Sequence, residues 1–582
     1  MKTSSSLKQR KTLLSEESAS TKLLHQDIDE DFIDFNLQIT IPQKFSQSGP
    51  ALVVGDLNGD GLEDLLIGGS RGKKETLFYQ NKNGTFSKKS QSFKSEARDL
   101  EEDAGIALFD IENDGDLDVY FAHGSGQFSP NSTAYDDAIW INNGLGEFTK
   151  AKIDLPNAGK NSSCVKPGDF DGDGDLDLFI GNRVVPGQYP VSDRSYLLEN
   201  KSTAHQILFV DASDKMSTGK KELGLINDAL WTDFNNDGWQ DLIVTGEWMP
   251  ILFFENKKGF LEKLENTGVE SAKGWWKSTT SADLDNDGDL DYVFGNFGLN
   301  TFFKASSKMP MTIIAKDFDE NGSVDPFISF YVRDSLGIKR NYLYHPWDDV
   351  IKQFRALRKS FNSYSAFGEA TVDQIFENQN ISDALIKNVT WMETSWVENL
   401  GSNKFKLHKL PKEAQWAPVF GTSTFDLNQD GYEDLLIVGN DFGVEVNQGR
   451  LDALQGLVLI NDQQKGFIPQ TLEQSNFIVP KNGKSLVQIN VGEQPYFVAS
   501  QNNDSLKIFK PAFDQEPKMI RWKEGETDCI IYSKSNSIQR RSKEGRFSFQ
   551  SQGTSTFWIT EQIKKIEFYD SQQKILRTES FE

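Results

Sequence analysis

A nine-residue acidic pattern, D-x-[D/N/E]-x-[D/N]-G-x-x-D, recurs seven times along this chain of 582 residues. The copies begin at Asp56, Asp110, Asp169, Asp233, Asp283, Asp317 and Asp426. Each copy leads into an apolar run that is typical of a buried β-strand. Such self-similarity indicates a repeat architecture, in which each unit buries its apolar surface against its neighbours.

The residue types within the pattern are those of a calcium-binding loop. Side-chain oxygens recur at positions 1, 3, 5 and 9, and Ca²⁺ takes about six to eight oxygen ligands. Glycine at position 6 permits the sharp turn that gathers these oxygens, because glycine tolerates positive φ angles. With the backbone carbonyl of position 7 included, the sequence predicts about seven Ca²⁺ sites, whose ligand residues are Asp56, Asn58, Asp60, Leu62, Asp64, Asp110, Glu112, Asp114, Asp116, Asp118, Asp169, Asp171, Asp173, Asp175, Asp177, Asp233, Asn235, Asp237, Trp239, Asp241, Asp283, Asp285, Asp287, Asp289, Asp291, Asp317, Asp319, Asn321, Ser323, Asp325, Asp426, Asn428, Asp430, Tyr432 and Asp434.

An EF-hand begins in the same way, but the residues after the loop exclude it. An EF-hand requires a bidentate glutamate at position 12, on the helix that leaves the loop. Position 12 is apolar in every copy here, from Ile67 in the first to Ile437 in the last. The loop is therefore expected to join two strands. A solvated turn would explain a single copy, since Asp-Gly pairs are common in turns, but not seven copies with the same ligand positions.

The spacing of the copies favours a β-propeller, whose four-stranded blades take about 40–50 residues each. Asn/Gly-rich turns between the copies, such as NKNGTF at 81–86 and ENKKGF at 255–260, predict an outer hairpin in each unit. We therefore predict an all-β fold, a seven- or eight-bladed β-propeller with calcium loops. Residues 486–509 keep the strand pattern without the ligands and are the candidate eighth unit.

The regions outside the repeats give the predicted domain boundaries. The longest gap between copies contains apolar residues at helical spacing, which predicts a helical insertion in blade six at about 345–388. A flexible N-terminal segment is expected at 1–31, the propeller at 32–510 and a small C-terminal β module at 511–582.

Longer phrases around the copies carry a family resemblance. GPALVVGDLNGDGLEDLLIGG at 49–69 and GWWKSTTSADLDNDGDLDYVFGNFGLN at 274–300 resemble FG-GAP/VCBS repeats, and more specifically bacterial relatives of cartilage acidic protein, which commonly carry an ASPIC/UnbV module. The resemblance covers roughly residues 32–510 and implies an extracellular, calcium-dependent propeller without enzyme activity. Only IRWKEG at 520–525 resembles the tryptophan-containing strand of the ASPIC/UnbV module.

Composition narrows the partners and the compartment. The formal net charge of −24 disfavours nucleic acid, which needs a basic surface. Calcium sites of extracellular modules have a Kd of about 0.1–1 mM, so the loops predict an extracellular or cell-surface location.

The two cysteines form no disulfide framework. No apolar stretch is long enough for a transmembrane helix, and the first residues lack the apolar core of a signal peptide. Either the chain is a fragment, its start is misassigned, or its export uses another route.

The favoured function is a binding or adhesion scaffold for a glycan or protein partner. Aromatic and cationic residues near the rim of the propeller are the candidates for contact, namely Trp275, Trp276, Arg340, Tyr342, Trp347 and Arg450. Packing between blades is the alternative role of the tryptophans. Two other functions stay open. One is a polysaccharide lyase or hydrolase that uses acids such as Asp348, Asp349 or Glu369, and the other is a purely structural spacer.

Overall fold

The computed structural model describes residues 12–89, 93, 100–377, 381–463, 465–523, 525–534, 537–543, 547–560 and 563–581. Most of their strands form seven sheets with a common antiparallel four-strand core, which we call blades one to seven. The first strand of each blade packs against the first strands of both neighbours, and blade seven packs against blade one. The sheets thus close into a ring around a central channel. The predicted β-propeller is confirmed, with seven blades.

In blades one to six the strands follow the chain from the channel outward, and in blade seven the outermost strand is the first strand of the chain. From innermost to outermost they are Leu52–Gly55, Asp64–Ile67, Thr76–Gln80 and Phe86–Lys89 in blade one; Asp103–Phe109, Asp118–His123, Ala138–Ile141 and Thr149–Lys150 in blade two; Ser162–Gly168, Asp177–Asn182, Tyr196–Asn200 and Phe209–Asp211 in blade three; Leu225–Thr232, Asp241–Met249, Leu252–Asn256 and Leu261–Lys263 in blade four; Ser278–Ala282, Asp291–Gly295, Ser395–Asn399 and Phe405–Lys409 in blade five; Val419–Phe425, Asp434–Gly439, Leu457–Asp462 and Gly466–Pro469 in blade six; and Asn482–Asn490, Pro495–Asn502, Lys507–Pro511 and Leu14–Glu16 in blade seven. A short strand, Gly274–Trp275, adds to blade four.

The beginning of the chain closes the ring. Leu14–Glu16 pairs with the third strand of blade seven, with Leu14 opposite Pro511. The predicted flexible segment 1–31 is therefore wrong for its described part, since Leu14 and Leu23 are fully buried; residues 1–11 lie outside the described residues. The candidate eighth unit at 486–509 belongs to blade seven.

The predicted helical insertion is present, but it belongs to blade five. The second strand of that blade, Asp291–Gly295, pairs directly with Ser395–Asn399, so the residues between them leave the blade. They form a separate sheet in the order Lys339–Leu343, Asp325–Arg333, Met311–Lys316 and Leu385–Val389, with α-helices Trp347–Gln353, Tyr364–Gly368 and Val372–Phe376. The copy of the pattern at Asp317 therefore lies in this inserted sheet and not in a blade. Residues 378–380, inside the predicted insertion, are outside the described part.

The remaining helical elements are short. They are the α-helices Ser18–Thr21 and Leu472–Ser475 and the 3₁₀ turns Asp34–Asn36, Thr133–Tyr135, Ser213–Lys215, Arg355–Lys359, Lys412–Gln415 and Val446–Gln448. No helix among the described residues is both long and apolar enough to cross a membrane.

The C-terminal β module packs on the propeller and enters its channel. Its main sheet has the order Ile538–Ser542, Asp528–Ser533, Ile563–Tyr569 and Ile575–Ser580, and a second pair joins Lys518–Arg521 to Thr556–Ile559. A hairpin of Phe547–Ser548 and Ser551–Gln552, which we call the channel hairpin, pairs in parallel with the first strand of blade one. It also contacts the first strands of blades two and four to seven. The channel is therefore filled by the chain's own C-terminal residues.

Candidate calcium loops and the axial cavity

Six of the seven acidic loops join the first strand of a blade to its second strand, in blades one to six. The glycine at position 6 has φ between +82° and +98° in every loop. Position 4 is also left-handed, with φ between +58° and +77°, and it holds glycine or asparagine in five loops. The tight turn explains the preference for glycine or asparagine at these positions, because few other residue types adopt the left-handed conformation at low cost.

The first aspartate of each loop holds the turn in place. Its carboxylate accepts a hydrogen bond from the backbone N–H of the position-6 glycine, at 2.7–3.2 Å in all seven loops. In six of the loops the other oxygen of the same carboxylate accepts the backbone N–H of position 4 or 5, so this aspartate holds the turn through both of its oxygens.

The ninth aspartate fixes the loop to the sheet. It is at most 1 % exposed in every loop. One oxygen accepts the backbone N–H of position 2 at 2.9–3.2 Å. In blades one to six the other oxygen accepts a backbone N–H at the end of the third strand, at 2.7–2.9 Å. The last predicted ligand therefore also joins three parts of its blade.

The electrostatics of the loops call for a cation. Burial and the neighbouring loop carboxylates raise the pKa of Asp64 to about 8 and that of Asp241 to about 9. In the three loops with aspartate at position 3, oxygens of positions 1, 3 and 9 lie within 4.8 Å of one another, as in Asp169, Asp171 and Asp177. A positive charge among them would remove the repulsion.

Several loop oxygens also lack a partner. The buried oxygens with no hydrogen bond within the described part of the chain include Glu112 Oε2, Asp283 Oδ1, Asp319 Oδ1 and Asp325 Oδ1, all at predicted ligand positions. Buried polar atoms are rarely left in this state. Hard carboxylate and amide oxygens around a small space are the donor set of Ca²⁺, so the residues present fit this ion.

Several loops also touch the C-terminal module, three of them through their first aspartate. The backbone N–H of Arg540 donates to Asp283 at 2.8 Å, and its guanidinium lies 3.4 Å from Asp233. Thr560 donates a hydrogen bond to Asp426. These are the first aspartates of the loops in blades five, four and six. The module thus lies on the loop side of the ring.

An asparagine at the end of the third strand in blades two to six was missed as a functional position by sequence reasoning. Its side chain donates to the position-2 carbonyl of the preceding blade's loop, at 2.7–3.1 Å; the pairs are Asn142 with Leu57, Asn200 with Ile111, Asn256 with Phe170, Asn399 with Phe234 and Asn461 with Leu284. The asparagine that recurs before the outer turn was the available signal, but asparagine is also common in turns and so did not indicate a contact between blades. Its observed role is to join neighbouring blades.

The prediction that Trp275 and Trp276 contact a ligand is wrong, because both side chains are fully buried. Trp275 stacks on Phe297 with ring centroids 4.5 Å apart, and Trp276 contacts Phe294. Two adjacent residues are both buried because Trp275 faces the inserted sheet's side of the core while Trp276 faces the core between blades four and five.

The other four predicted contact residues lie on two separate elements. Arg340, Tyr342 and Trp347 belong to the inserted sheet and its first helix, whereas Arg450 follows the second strand of blade six. Arg340 is paired with Asp334 at 3.0 Å. Their role as a contact surface stays a prediction.

A cavity of about 50 Å³ lies at the end of the channel opposite the loops, and we call it the axial cavity. Its lining includes Arg183, Lys277, Lys484, Phe420, Phe549 and Gln550. The last two follow the channel hairpin's first strand, and residues 43–48 cover the other side. Sequence reasoning missed these cations, since an isolated Lys or Arg in an apolar strand is a weak signal.

A buried carboxylate organises two of these cations. Glu247 pairs with Arg183 and accepts a hydrogen bond from Lys277 at 3.1 Å and from Gln43 at 2.8 Å. Burial raises the pKa of Glu247, but the two cations outweigh this and lower it to about 2. The carboxylate is therefore charged at neutral pH.

Comparison with known proteins identifies the class of the repeats. The FG-GAP-like repeat family model matches residues 38–121, 123–180 and 233–294. These ranges contain the first five acidic loops and most of the strands beside them, but not Leu225–Thr232 before the fourth loop. The chain is thus an all-β propeller with FG-GAP-like repeats.

Among curated proteins, the chain is similar to cartilage acidic protein 1. The identity is 24 % over 331 residues to the Xenopus tropicalis protein, covering 50 % of each chain. To the Homo sapiens protein it is 22 % over 324 residues, covering 49 % of this chain and 47 % of that protein. The chain spans about half the length of the curated relatives it matches.

Solved structures give more remote similarities. An Agrocybe aegerita lectin described as recognising non-reducing terminal N-acetylglucosamine matches with a TM-score of 0.37 and 15 % identity, over 74 % of this chain and 81 % of that one. The exotype rhamnogalacturonan lyase YesX matches with a TM-score of 0.38 and 11 % identity, over 80 % of this chain and 72 % of that one. The propeller assignment rests on the sheet topology above.

Proposed function

We propose that this protein is a calcium-stabilised propeller that acts outside the cell as a binding scaffold for a glycan or protein partner. The observation that carries the calcium role is the loop geometry: the turns are held by backbone hydrogen bonds, while several buried carboxylate oxygens have no partner. Side chains at positions 1, 3, 5 and 9 would hold the ion. Bound Ca²⁺ supplies the positive charge that these carboxylates lack.

The extracellular location is supported by the free energy that calcium would contribute. At about 1 mM free calcium and a Kd of about 0.1 mM, each site stabilises the folded state by about 1.4 kcal/mol. Several such sites amount to a large part of a domain's net stability of about 5–15 kcal/mol. At cytosolic calcium the contribution would be near zero, and the loops would be clusters of repelling carboxylates.

A binding role suits the surface of the ring. A shallow depression near blades five and six is lined by Trp416 and Leu299, which are 43 % exposed each, together with Lys409 and Lys412. An exposed tryptophan beside cationic side chains provides rigid contact area and polar anchors, as binding surfaces do. This depression replaces Trp275 and Trp276 as the candidate contact surface.

Calcium content and thermal unfolding test the proposal. The purified protein should contain several Ca²⁺ ions and should melt at a higher temperature in calcium than in chelator. Asp171→Ala should lose about one Ca²⁺ per molecule and lower the melting temperature in calcium only, because it removes one ligand. Asp154→Ala, at an exposed carboxylate outside the loops, is the control and should change neither quantity. Equal melting temperatures of the wild type with and without chelator would refute the stabilising role.

We propose a binding role rather than a catalytic one. Asp348, one of the acids considered for catalysis, accepts a hydrogen bond from Tyr364, and Asp349 pairs with Lys352. Incubation with acidic and neutral polysaccharides, followed by assays for reducing ends and unsaturated products, tests this. Turnover that Asp348→Asn abolishes would show that the enzymatic alternative is correct.

A further inference from the structure

The charges around the axial cavity do not balance. Glu247 neutralises one of its two partners, Arg183 and Lys277. A further carboxylate, Asp441, lines the cavity. These two anions match two cations, and Lys484 adds a third.

Lys484 has no partner of its own. The residue is 3 % exposed, and within the described ranges its ammonium group has neither a hydrogen-bond acceptor nor an ion-pair partner. Its Nζ lies 3.9 Å from the centre of the Phe420 ring. The third lysine of the lining, Lys44, is paired with Asp31 at 3.0 Å. One positive charge is therefore left over, and it belongs to a side chain in the cavity wall.

Such a group is unfavourable unless something binds it. Burial of an unpaired ammonium is opposed by the loss of hydration, and a cation–π contact offsets only part of that loss. Burial also lowers the pKa of Lys484 to about 8, although Asp441 opposes the shift. Buried, unpaired and perturbed charges in a cavity are characteristic of functional sites.

The lining shows which kind of ligand would fit. One excess positive charge matches a monoanion and not a doubly charged phosphate. The buried Nε of Arg183 and Oε1 of Gln550 also lack partners among the described residues. They supply a donor for a carboxylate and an acceptor for a hydroxyl group. The Phe420 and Phe549 rings contribute apolar surface.

We propose that the axial cavity binds a carboxylate, either of a small organic acid or of the terminal uronate of a glycan, and that Lys484 is the residue that pairs with it. The inference deepens the binding role and rests on it for its biological meaning. It does not depend on the calcium loops, which lie at the opposite end of the channel.

Binding of defined carboxylates to the full chain tests the inference. Acetate, D-galacturonate and a trigalacturonide are titrated by calorimetry in calcium buffer, with D-galactose and inorganic phosphate for comparison. Acetate and galacturonate should bind, whereas galactose should not. A further gain in affinity for the trigalacturonide would identify a glycan as the source of the carboxylate, and no gain would identify a small acid.

A pair of lysine variants assigns the binding to the cavity. Lys484→Met should weaken carboxylate binding about tenfold or more, as expected for loss of a charge-assisted hydrogen bond. Lys481→Met, three residues earlier with an exposed side chain, should bind like the wild type. Failure of the wild type to bind any carboxylate, or unchanged binding by Lys484→Met, would overturn the inference.

A second variant keeps the test decisive if Lys484→Met does not fold. Gln550→Glu places a carboxylate in the cavity wall, so it should raise the melting temperature and abolish acetate binding. An unchanged or lower melting temperature with retained acetate binding would refute the inference. If the wild type binds no carboxylate but is stabilised by calcium, only this inference is refuted. If it binds carboxylates but is not stabilised by calcium, only the calcium role is refuted.

Discussion

Asp291 and Asn399 are 108 residues apart in sequence, yet the backbone N–H of Asn399 donates to a carboxylate oxygen of Asp291 at 2.9 Å. The whole inserted sheet lies between these two residues. The side chain of Asn399 then donates to the Phe234 carbonyl of blade four at 2.8 Å. One loop therefore closes its own blade around an insertion and, through Asn399, joins it to the preceding blade.

The same contact in blade four predicts a loss of stability in Asn256→Ala. The Asn256 side chain donates to the carbonyls of Phe170 and Gln240 at 2.7 and 2.9 Å and is almost fully buried. Its removal leaves buried carbonyls unpaired, so the free energy of unfolding should fall by about 1–3 kcal/mol. Chemical denaturation measures this.

The control is Asn143→Ala, at an exposed asparagine of an outer turn that bonds only within that turn. It should lose less stability than Asn256→Ala. Equal losses in the two variants would contradict a role of Asn256 between blades.

The repeated features of this fold were predictable from the sequence. Loop, glycine and following strand recur together, so a local pattern marks blades one to six, although it also marks the copy at Asp317, which lies in the inserted sheet. The ninth aspartate was predicted as a ligand, but its hydrogen bonds to the third strand were not. Those bonds depend on where the third strand lies, which no nine-residue pattern contains.

The features that the sequence did not predict depend on contacts between distant residues. Leu14 pairs with Pro511 at the other end of the chain, and no local signal marks that partner. The copy at Asp317 looks like the others, and only the pairing of Tyr292 with Val397 shows that it lies outside a blade. One of Trp275 and Trp276 was expected at the surface because strand alternation exposes one of two neighbours, but here the inserted sheet covers Trp275.

Gly174→Ala should lower stability through the backbone. Gly174 has φ +98°, and a Cβ atom there would meet no other atom within 4 Å. The cost is therefore the left-handed conformation itself, about 1–2 kcal/mol. If the loop binds calcium, distortion of the turn also lowers its affinity for the ion. The melting temperature should therefore fall further in calcium than in chelator.

Gly337→Ala is the matched control for this prediction. Gly337 has φ +79° with open space around its Cβ position, in a turn outside the acidic loops. Gly337→Ala should lower the melting temperature by the same amount in calcium and in chelator. If Gly174→Ala lowers the melting temperature equally in calcium and in chelator, Gly174 does not contribute to calcium binding.

Gln552→Ala should loosen the channel hairpin. The amide of Gln552 accepts the backbone N–H of Leu108 at 2.8 Å and donates to its carbonyl at 2.9 Å, so it completes the inner edge of blade two. Loss of both bonds should destabilise the protein by about 2 kcal/mol and speed proteolysis of the C-terminal module. Limited proteolysis with mass spectrometry and thermal unfolding measure the two effects.

Ser551→Ala in the same hairpin serves as the control. The Ser551 hydroxyl is buried without a hydrogen-bond partner in the described part of the chain, so its removal should be neutral or slightly stabilising. Equal proteolysis rates for the two variants would show that the Gln552 contacts do not hold the module.

The cluster around Glu247 predicts a pH dependence of stability. Arg183 and Lys277 lower the pKa of this buried carboxyl from 4.5 to about 2. Because the pKa is lower in the folded state than in the unfolded chain, the ionised group stabilises the protein above about pH 4.5. That stabilisation is lost as the pH falls from about 4.5 to about 2 and amounts to something on the order of 3 kcal/mol.

Glu247→Gln should therefore be most harmful at neutral pH. The variant leaves Arg183 and Lys277 buried without their shared counter-charge, which should lower the free energy of unfolding by about 3–5 kcal/mol at pH 7. The difference from the wild type should narrow as the pH falls below about 4.5, because the carboxyl of the unfolded wild-type chain is then protonated and the wild type loses the stabilisation that the variant already lacks. Denaturation curves from pH 7 to pH 3 measure this, with Glu265→Gln, at an exposed carboxylate paired with Lys263, as the control that should change little. A gap that stays constant over this range would show that Glu247 does not stabilise the fold through its charge.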